Sequence, residues 1–177
     1  SWYRLLRHWA SLRFSDTAGL PPGTLVRRAR GLSGSLTQTK TTGADKTTSV
    51  LPIFVSSDAW VGTKWLEAGV DLWQNAFGYA RDYLLPLPNS DLSGHIGKRA
   101  RYSDAVGFSR SLLSLLVDGE GVRLLEPESV CFWTEHSDRA GLDSWLAALS
   151  VGADVRRFVG RWAIKGSEDG YVRSASR

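Results

Sequence analysis

The stretch TLVRRARGLSGSLTQTKTTGADKTTSVLPIFVS, residues 24–56, decides the fold class. It is rich in threonine, valine and serine and is interrupted by glycines, which is typical of short strands separated by turns. We predict strands at 24–30, 33–40 and 48–55, with turns at ARGLS and TTGAD. Because tight turns join antiparallel neighbours, the segment predicts a small three-stranded antiparallel sheet near the N-terminus.

On both sides of this segment the sequence predicts helices. Apolar residues recur with a helical period, and the predicted helices cover residues 2–12, 58–76, 102–117, 137–149 and 153–160. Asp58 is the expected N-cap of the second helix. The segment 78–101 contains three glycines and two prolines and predicts a long connector, while 122–130 fits no single element. This order predicts an α+β fold that is mainly helical.

Two of these helices carry apolar stripes that we expect to pack on the core. In the helix at 58–76 the stripe consists of Val61, Trp65, Ala68 and Leu72. In the helix at 137–149 it consists of Leu142, Trp145, Leu146 and Leu149.

The composition is that of an ordinary globular protein. The chain has 177 residues, 42% of them apolar and 23% charged, so we expect one domain over 1–177. A single cysteine, Cys131, excludes an internal disulfide and favours an intracellular compartment. The three histidines are far apart and there is no CxxC motif, so we expect no metal site. No apolar run is long enough to predict a membrane span.

Charge and the first residue add two expectations. A net charge of +4 and a pI near 9.5 are compatible with a nucleic-acid partner. The chain contains no methionine, not even at position 1, which predicts that it is a fragment or a trimmed domain.

The segment TEHSDRAGLDSWLAAL, which begins at Thr134, puts His136 and Arg139 three residues apart at a predicted helix start. Residues at i and i+3 share a helix face, so we expect both side chains to point the same way. Two donors near a helix start suit an anion, because free backbone N–H groups there already favour negative charge. An isolated pair of this kind is more often a solvated helix face.

Further residues follow this pair in a suggestive order. Trp162 stands in VGRW and Tyr171 in GYVR, close to the C-terminus. The order His-x-x-Arg, then Gly and Trp shortly before Tyr, resembles the second conserved box of tyrosine recombinases, the phage-integrase family. Tryptophan in that slot is similar to the Cre-type branch. One residue, Arg161, separates Gly160 from Trp162 here, which departs from the family's adjacent Gly-Trp pair.

The family also has an arginine and an acidic residue near the domain start and a lysine in a β-hairpin. The segment SLRFSD offers Arg13, with Asp16 three residues on, and LTQTKTTGADK offers Lys40. Arg4 and Arg7 compete with Arg13, Lys46 competes with Lys40, and Asp16 also fits a turn. The resemblance covers nearly the whole chain, and the candidate catalytic residues that it implies are Arg13, Asp16, Lys40, His136, Arg139, Trp162 and Tyr171.

The resemblance implies a site-specific recombinase or integrase that acts on double-stranded DNA. The Tyr171 hydroxyl would attack a phosphodiester to form a 3′-phosphotyrosyl bond, without metal, ATP or another cofactor. Arg13 and Arg139 would hold the non-bridging oxygens, and His136 would accept the tyrosine proton. Lys40 would protonate the leaving 5′-oxygen. Trp162 would donate its indole N–H to the phosphate, and Asp16 would orient Arg13 or His136.

The resemblance also implies partners and leaves alternatives open. It implies a homotetramer on DNA for the full-length protein, an N-terminal core-binding domain that is absent here, and a location in the nucleus or the cytoplasm according to the host. A type IB topoisomerase-like enzyme, and a decayed mobile-element remnant that only binds DNA, are the alternatives. Two basic clusters are candidate contacts to the DNA backbone: Arg27, Arg28 and Arg30, and Lys98, Arg99 and Arg101.

Overall fold

The computed structural model describes residues 2–18, 20–37, 39, 50–59, 64–77, 81–91 and 93–161. Within them the fold is α+β and mainly helical, as the sequence predicts. The helices are α1 (Trp2–Trp9), α2 (Phe14–Ala18), α3 (Trp65–Phe77), α4 (Tyr102–Ser114), α5 (Pro127–Val130), α6 (Ser137–Ala148) and α7 (Ala153–Gly160). The strands are β1 (Val26–Arg28), β2 (Gly31–Leu36), β3 (Leu51–Ser56), β4 (Pro86–Pro88) and β5 (His95–Arg99).

Strands β1, β2 and β3 form the predicted antiparallel meander. Leu32 in β2 pairs with Arg27 in β1 and with Val55 in β3. Leu32 and Val55 are buried, whereas Phe54, which points to the other face of β3, is exposed. Gly31 permits the close approach of β2 and β3, because a Cβ atom there would lie 2.1 Å from the Val55 carbonyl oxygen. One face of the sheet therefore covers the core.

Helix α1 contributes heavily to that core through Trp2, Tyr3 and Leu6. It ends at Trp9, earlier than the predicted residue 12, because Ser11 adopts a left-handed conformation with φ 49° that cannot continue a helix. Leu12 is nonetheless buried, although it lies beyond the end of the helix. The short helix α2 follows where the sequence predicted only a break.

Helix α3 differs from its prediction in both start and orientation. It begins at Trp65, and Asp58 lies in a turn after β3 instead of capping the helix. Leu72, assigned to the core stripe, is 61% exposed. The buried face consists of Leu66, Val70 and Trp73. The predicted stripe is therefore wrong at Ala68 and Leu72, which are exposed, whereas Trp65 packs against the core and Val61 lies outside the described residues. The helix turns this way because the bulky Trp73 packs against Trp2 at a ring-centroid distance of 5.2 Å.

The segment 78–101 was predicted as a connector, and it contains a β-hairpin. Strands β4 and β5 pair antiparallel, with a register shift between Pro86 and Leu87. Prolines cannot donate a backbone hydrogen bond to a neighbouring strand, so a segment with Pro86 and Pro88 does not resemble a strand in sequence.

Further along the chain, the ambiguous segment 122–130 contains α5, and α7 has the predicted bounds. Among the helices of the described ranges, none has both the length and the apolar character to cross a membrane.

Candidate functional site

Two segments from opposite ends of the chain meet at the buried carboxylate of Asp16. Its Oδ2 accepts a hydrogen bond from the backbone N–H of Arg13 at 2.9 Å, which closes the turn that enters α2. The same oxygen lies 3.5 Å from Nη2 of Arg161, which is 145 positions away in the chain, and 3.9 Å from Nη1 of Arg139. We call Arg13, Asp16, Arg139 and Arg161 the Asp16 cluster.

Arg139 reaches this cluster from the first turn of α6. Its side chain is fully buried, and Nη2 donates a hydrogen bond to the carbonyl oxygen of Gly160, the last residue of α7. A cation at a helix C-terminus is favourable, since the last carbonyls carry partial negative charge and lack partners within the helix. The guanidinium group of Arg139 therefore connects the end of α7 to Asp16.

Arg161 is the residue that separates Gly160 from Trp162, and sequence reasoning assigned it no role. Its Nη2 donates to the carbonyl oxygen of Ser11 at 2.6 Å. Burial lowers the pKa of Arg161, the nearby Asp16 carboxylate raises it, and the positive charge of Arg13 lowers it again. The guanidinium groups of Arg139 and Arg161 thus flank one carboxylate, and the charge of Arg13 is close enough to act on Arg161, so the cluster carries excess positive charge.

His136 lies outside this cluster. It is the N-cap residue of α6, and its side chain is exposed, whereas that of Arg139 is fully buried. The expectation that both side chains point the same way is wrong, because Arg139 turns inward to the Gly160 carbonyl and Asp16. Within the described ranges, no contact joins the imidazole of His136 to Arg13 or Asp16.

The core-facing side of α6 is charged as well as apolar. Its buried residues are Asp138, Arg139, Leu142 and Asp143. Trp145 is 49% exposed and Leu149 is 75% exposed, so the predicted apolar stripe is wrong at these two positions. The charges are buried because each meets a partner, as in the pair Arg156–Asp143, whose nitrogen and oxygen lie 3.3 Å apart.

A second buried network, which we call the Glu135 network, holds α1 against the start of α6. Nη1 of Arg7 bonds to the Glu135 carboxylate and lies 3.2 Å from Asp138 Oδ2. Arg4 bonds to the other Asp138 oxygen at 3.1 Å, and Ser109 from α4 donates to Glu135 at 2.8 Å. Arg4 and Arg7, the two competitors of Arg13, therefore have structural partners. Sequence reasoning missed this network because its members are far apart in the chain.

His8 packs beside this network, on the side of α1 that faces α6. Its ring lies 4.8 Å from that of Trp145 between centroids, and it fills the space over Gly141. Burial lowers the pKa of His8, while the Asp138 charge opposes that shift. We assign His8 a packing role.

Three of the candidate catalytic residues, Lys40, Trp162 and Tyr171, lie outside the described residues, as does Lys46. The candidate DNA-backbone contacts are all described and all exposed: Arg27, Arg28, Arg30, Lys98, Arg99 and Arg101. Arg27 and Arg28 lie on β1 with Arg30 in the turn after it, whereas Lys98 and Arg99 lie on β5 of the other sheet and Arg101 precedes α4. Arg27 forms an ion pair with Asp71 at 3.1 Å, and Arg101 is held by Asp104 at the start of α4. The remaining cations extend these two patches of positive surface.

Nothing in the described ranges gathers three or more His, Cys, Asp or Glu side chains in a way that could hold a metal ion. Comparison with protein-family models finds no match, and no curated protein is significantly similar to this chain in sequence.

Proposed function

We propose that this chain is the catalytic domain of a tyrosine-type DNA recombinase, which cuts and rejoins DNA through a 3′-phosphotyrosyl intermediate. One observation carries the proposal: the Asp16 carboxylate accepts a hydrogen bond from the backbone N–H of Arg13 and lies 3.9 Å from the guanidinium group of Arg139, so the two arginines that such a reaction needs belong to one cluster. Guanidinium groups match the geometry of phosphate oxygens, and the excess positive charge of the cluster suits a phosphodiester.

In the proposed reaction the bonds and protons balance without an added cofactor. The Tyr171 oxygen attacks the phosphorus, the bond from phosphorus to the 5′-oxygen breaks, and a second 5′-hydroxyl later reverses the step. Tyrosine has an ordinary pKa of about 10, so His136 accepts its proton, and an exposed imidazole is accessible for that task. Lys40 gives a proton to the leaving 5′-oxygen, and Trp162 donates its N–H to the phosphate.

A covalent adduct tests the proposal. The chain is incubated with a nicked suicide duplex, whose cut end diffuses away, and a denaturing gel then detects protein joined to DNA. We expect an adduct with the natural chain and complete loss with Tyr171→Phe, because phenylalanine lacks the attacking oxygen. Tyr102→Phe is the matched control, since Tyr102 is exposed on α4 and lies outside the proposed site.

DNA affinity should fall steeply with salt. The proposed contacts run from exposed arginines and lysines to phosphates, and each such contact releases counterions. With six to ten phosphate contacts, raising salt from about 50 to about 200 mM lowers affinity about 10³–10⁵-fold. Fluorescence anisotropy of a labelled duplex measures the slope. An affinity that does not change over this range would exclude the electrostatic interface.

The same observations favour a second candidate, a remnant that binds DNA without cutting it. Arg139 is fully buried, and its Nη2 already donates to the Gly160 carbonyl, a protein acceptor. Salt-dependent binding without any adduct would favour this candidate. Relaxation of supercoiled DNA without exchange between duplexes would instead favour a type IB topoisomerase-like enzyme.

The proposal has consequences for assembly and location. Strand exchange needs two duplexes and therefore several active sites, so we propose a homotetramer on DNA. The enzyme would act in the nucleus of a eukaryotic host and otherwise in the cytoplasm.

A further inference from the structure

Arg161 ends α7 in a backbone conformation that arginine rarely adopts. It is the C-cap residue, with φ 56° and ψ 42°, and its N–H donates to the carbonyls of Arg157 and Phe158. This left-handed conformation favours glycine at helix ends, because a Cβ atom is disfavoured there. The backbone alone therefore does not explain why position 161 carries an arginine.

The side chain supplies an explanation. From the left-handed turn the Arg161 guanidinium extends to the segment between α1 and α2, where Nη2 bonds to the Ser11 carbonyl at 2.6 Å. Ser11 is itself left-handed with φ 49°, so α1 stops there and its carbonyl is available to a partner. The same Nη2 lies 3.5 Å from Asp16 Oδ2, the oxygen that accepts from the Arg13 backbone.

These contacts attach both ends of the Ser11–Asp16 turn to the residue that immediately precedes Trp162. We propose that Arg161 is a positioning residue: it fixes this turn, and with it Arg13, against the end of α7. The inference rests on the proposed DNA-cleaving function and extends it to a residue outside the candidate catalytic set. Arg161 acts through Arg13, because its own donors are directed at Ser11 and Asp16.

Electrostatics supports the same role. The Arg161 side chain is 17% exposed and that of Asp16 is 1% exposed, so the contact is largely shielded from water. Asp16 offsets part of the repulsion between the guanidinium groups of Arg13, Arg139 and Arg161. A lysine at position 161 would keep the charge, but its side chain is one bond shorter, so its nitrogen would not reach the position from which Nη2 meets both acceptors.

The test compares Arg161→Gly and Arg161→Lys with Arg123→Gln, a charge-loss control on the exposed segment after α4. Glycine suits the left-handed backbone, so Arg161→Gly removes the guanidinium without straining the helix end. We expect Arg161→Gly to slow adduct formation at saturating DNA by about 100-fold, the effect of a small misplacement of a reacting group. DNA affinity should stay as in the natural chain.

Two further measurements distinguish the positioning of Arg13 from a purely structural role of Arg161. In Arg161→Gly the Arg13 amide should lose protection from hydrogen exchange, because the turn that shelters it is released. Combining Arg161→Gly with Arg13→Gln should slow adduct formation no more than Arg13→Gln alone, since both act through one group. Arg161→Lys should recover part of the rate, and Arg123→Gln should leave rate and protection unchanged.

The outcomes are distinguishable from failure of the proposed function. If the natural chain forms no adduct, the recombinase proposal fails, and amide protection alone decides whether Arg161 holds the turn. If the natural chain is active and Arg161→Gly keeps its full rate, the positioning role is excluded. A rate loss that is additive with Arg13→Gln, with Arg13 protection intact, would also overturn it.

Discussion

Replacing Arg139 with methionine is expected to slow adduct formation by at least about 10²–10³-fold, the usual loss when one preorganised donor to a transition-state oxygen is removed. We also expect it to lower the free energy of unfolding by about 3–5 kcal/mol, because it breaks a buried ion pair. The side chain is fully buried against Asp16 and the Gly160 carbonyl, and methionine replaces neither contact. Single-turnover kinetics and urea denaturation measure the two effects.

Arg156 provides the matched control for this substitution. Arg156 is also buried, lies on α7 and pairs with Asp143, but it is not a member of the Asp16 cluster. Arg156→Met should therefore destabilise the fold while leaving the adduct rate of the folded protein unchanged. Arg139→Lys keeps the charge without the two-acceptor geometry and should remain slow. Equal rates for the Arg139 and Arg156 variants would show that Arg139 has only a structural role.

The sequence predicted correctly the elements that depend on local residue patterns, namely the three-stranded sheet and α7. The composition of 24–56 and the turn at ARGLS predicted the strands, and the period of 153–160 predicted α7, because these elements follow local preferences. The predicted TTGAD turn lies outside the described residues. The hairpin β4–β5 was missed, since Pro86 and Pro88 remove the ladder donors that a strand normally has. The stripe in α3 was misplaced because tertiary packing of Trp73 on Trp2 overrides a count of apolar residues.

The candidate site shows a similar division. The resemblance predicted that Arg13, Asp16 and Arg139 meet in one site. The Asp16 Oδ2 atom accepts from the Arg13 backbone N–H and lies 3.9 Å from Arg139, and their shared role in catalysis stays a prediction. The exposed position of His136 was not predictable, since spacing on a helix does not reveal which face turns inward. Arg161 was missed because its contact depends on a left-handed backbone conformation, which cannot be predicted from the presence of an arginine. The roles of Lys40, Trp162 and Tyr171 stay predictions.

Disrupting the Glu135 network should have the largest effect on stability outside the Asp16 cluster. Glu135 and Arg7 are both fully buried at the side chain, and Arg7 also bonds to the Glu135 backbone carbonyl. Glu135→Gln keeps the volume but leaves the Arg7 charge with Asp138 as its main counterion. We expect a loss of about 3–5 kcal/mol, the usual result of removing one partner from a buried pair. Guanidinium denaturation monitored by tryptophan fluorescence measures it.

Two further variants are compared with Glu135→Gln. Ser109→Ala removes one hydroxyl donor to Glu135 and should cost only about 1–2 kcal/mol. The double variant Arg7→Met/Glu135→Met replaces both charges with apolar groups, so it should be more stable than Glu135→Gln alone, because Asp138 keeps Arg4 as its partner and no buried charge is left unpaired. Because Glu135 directly precedes His136, the same loss should loosen the start of α6 and slow adduct formation. If Glu135→Gln proved as stable as the natural chain, the network would not be what holds α1 to α6.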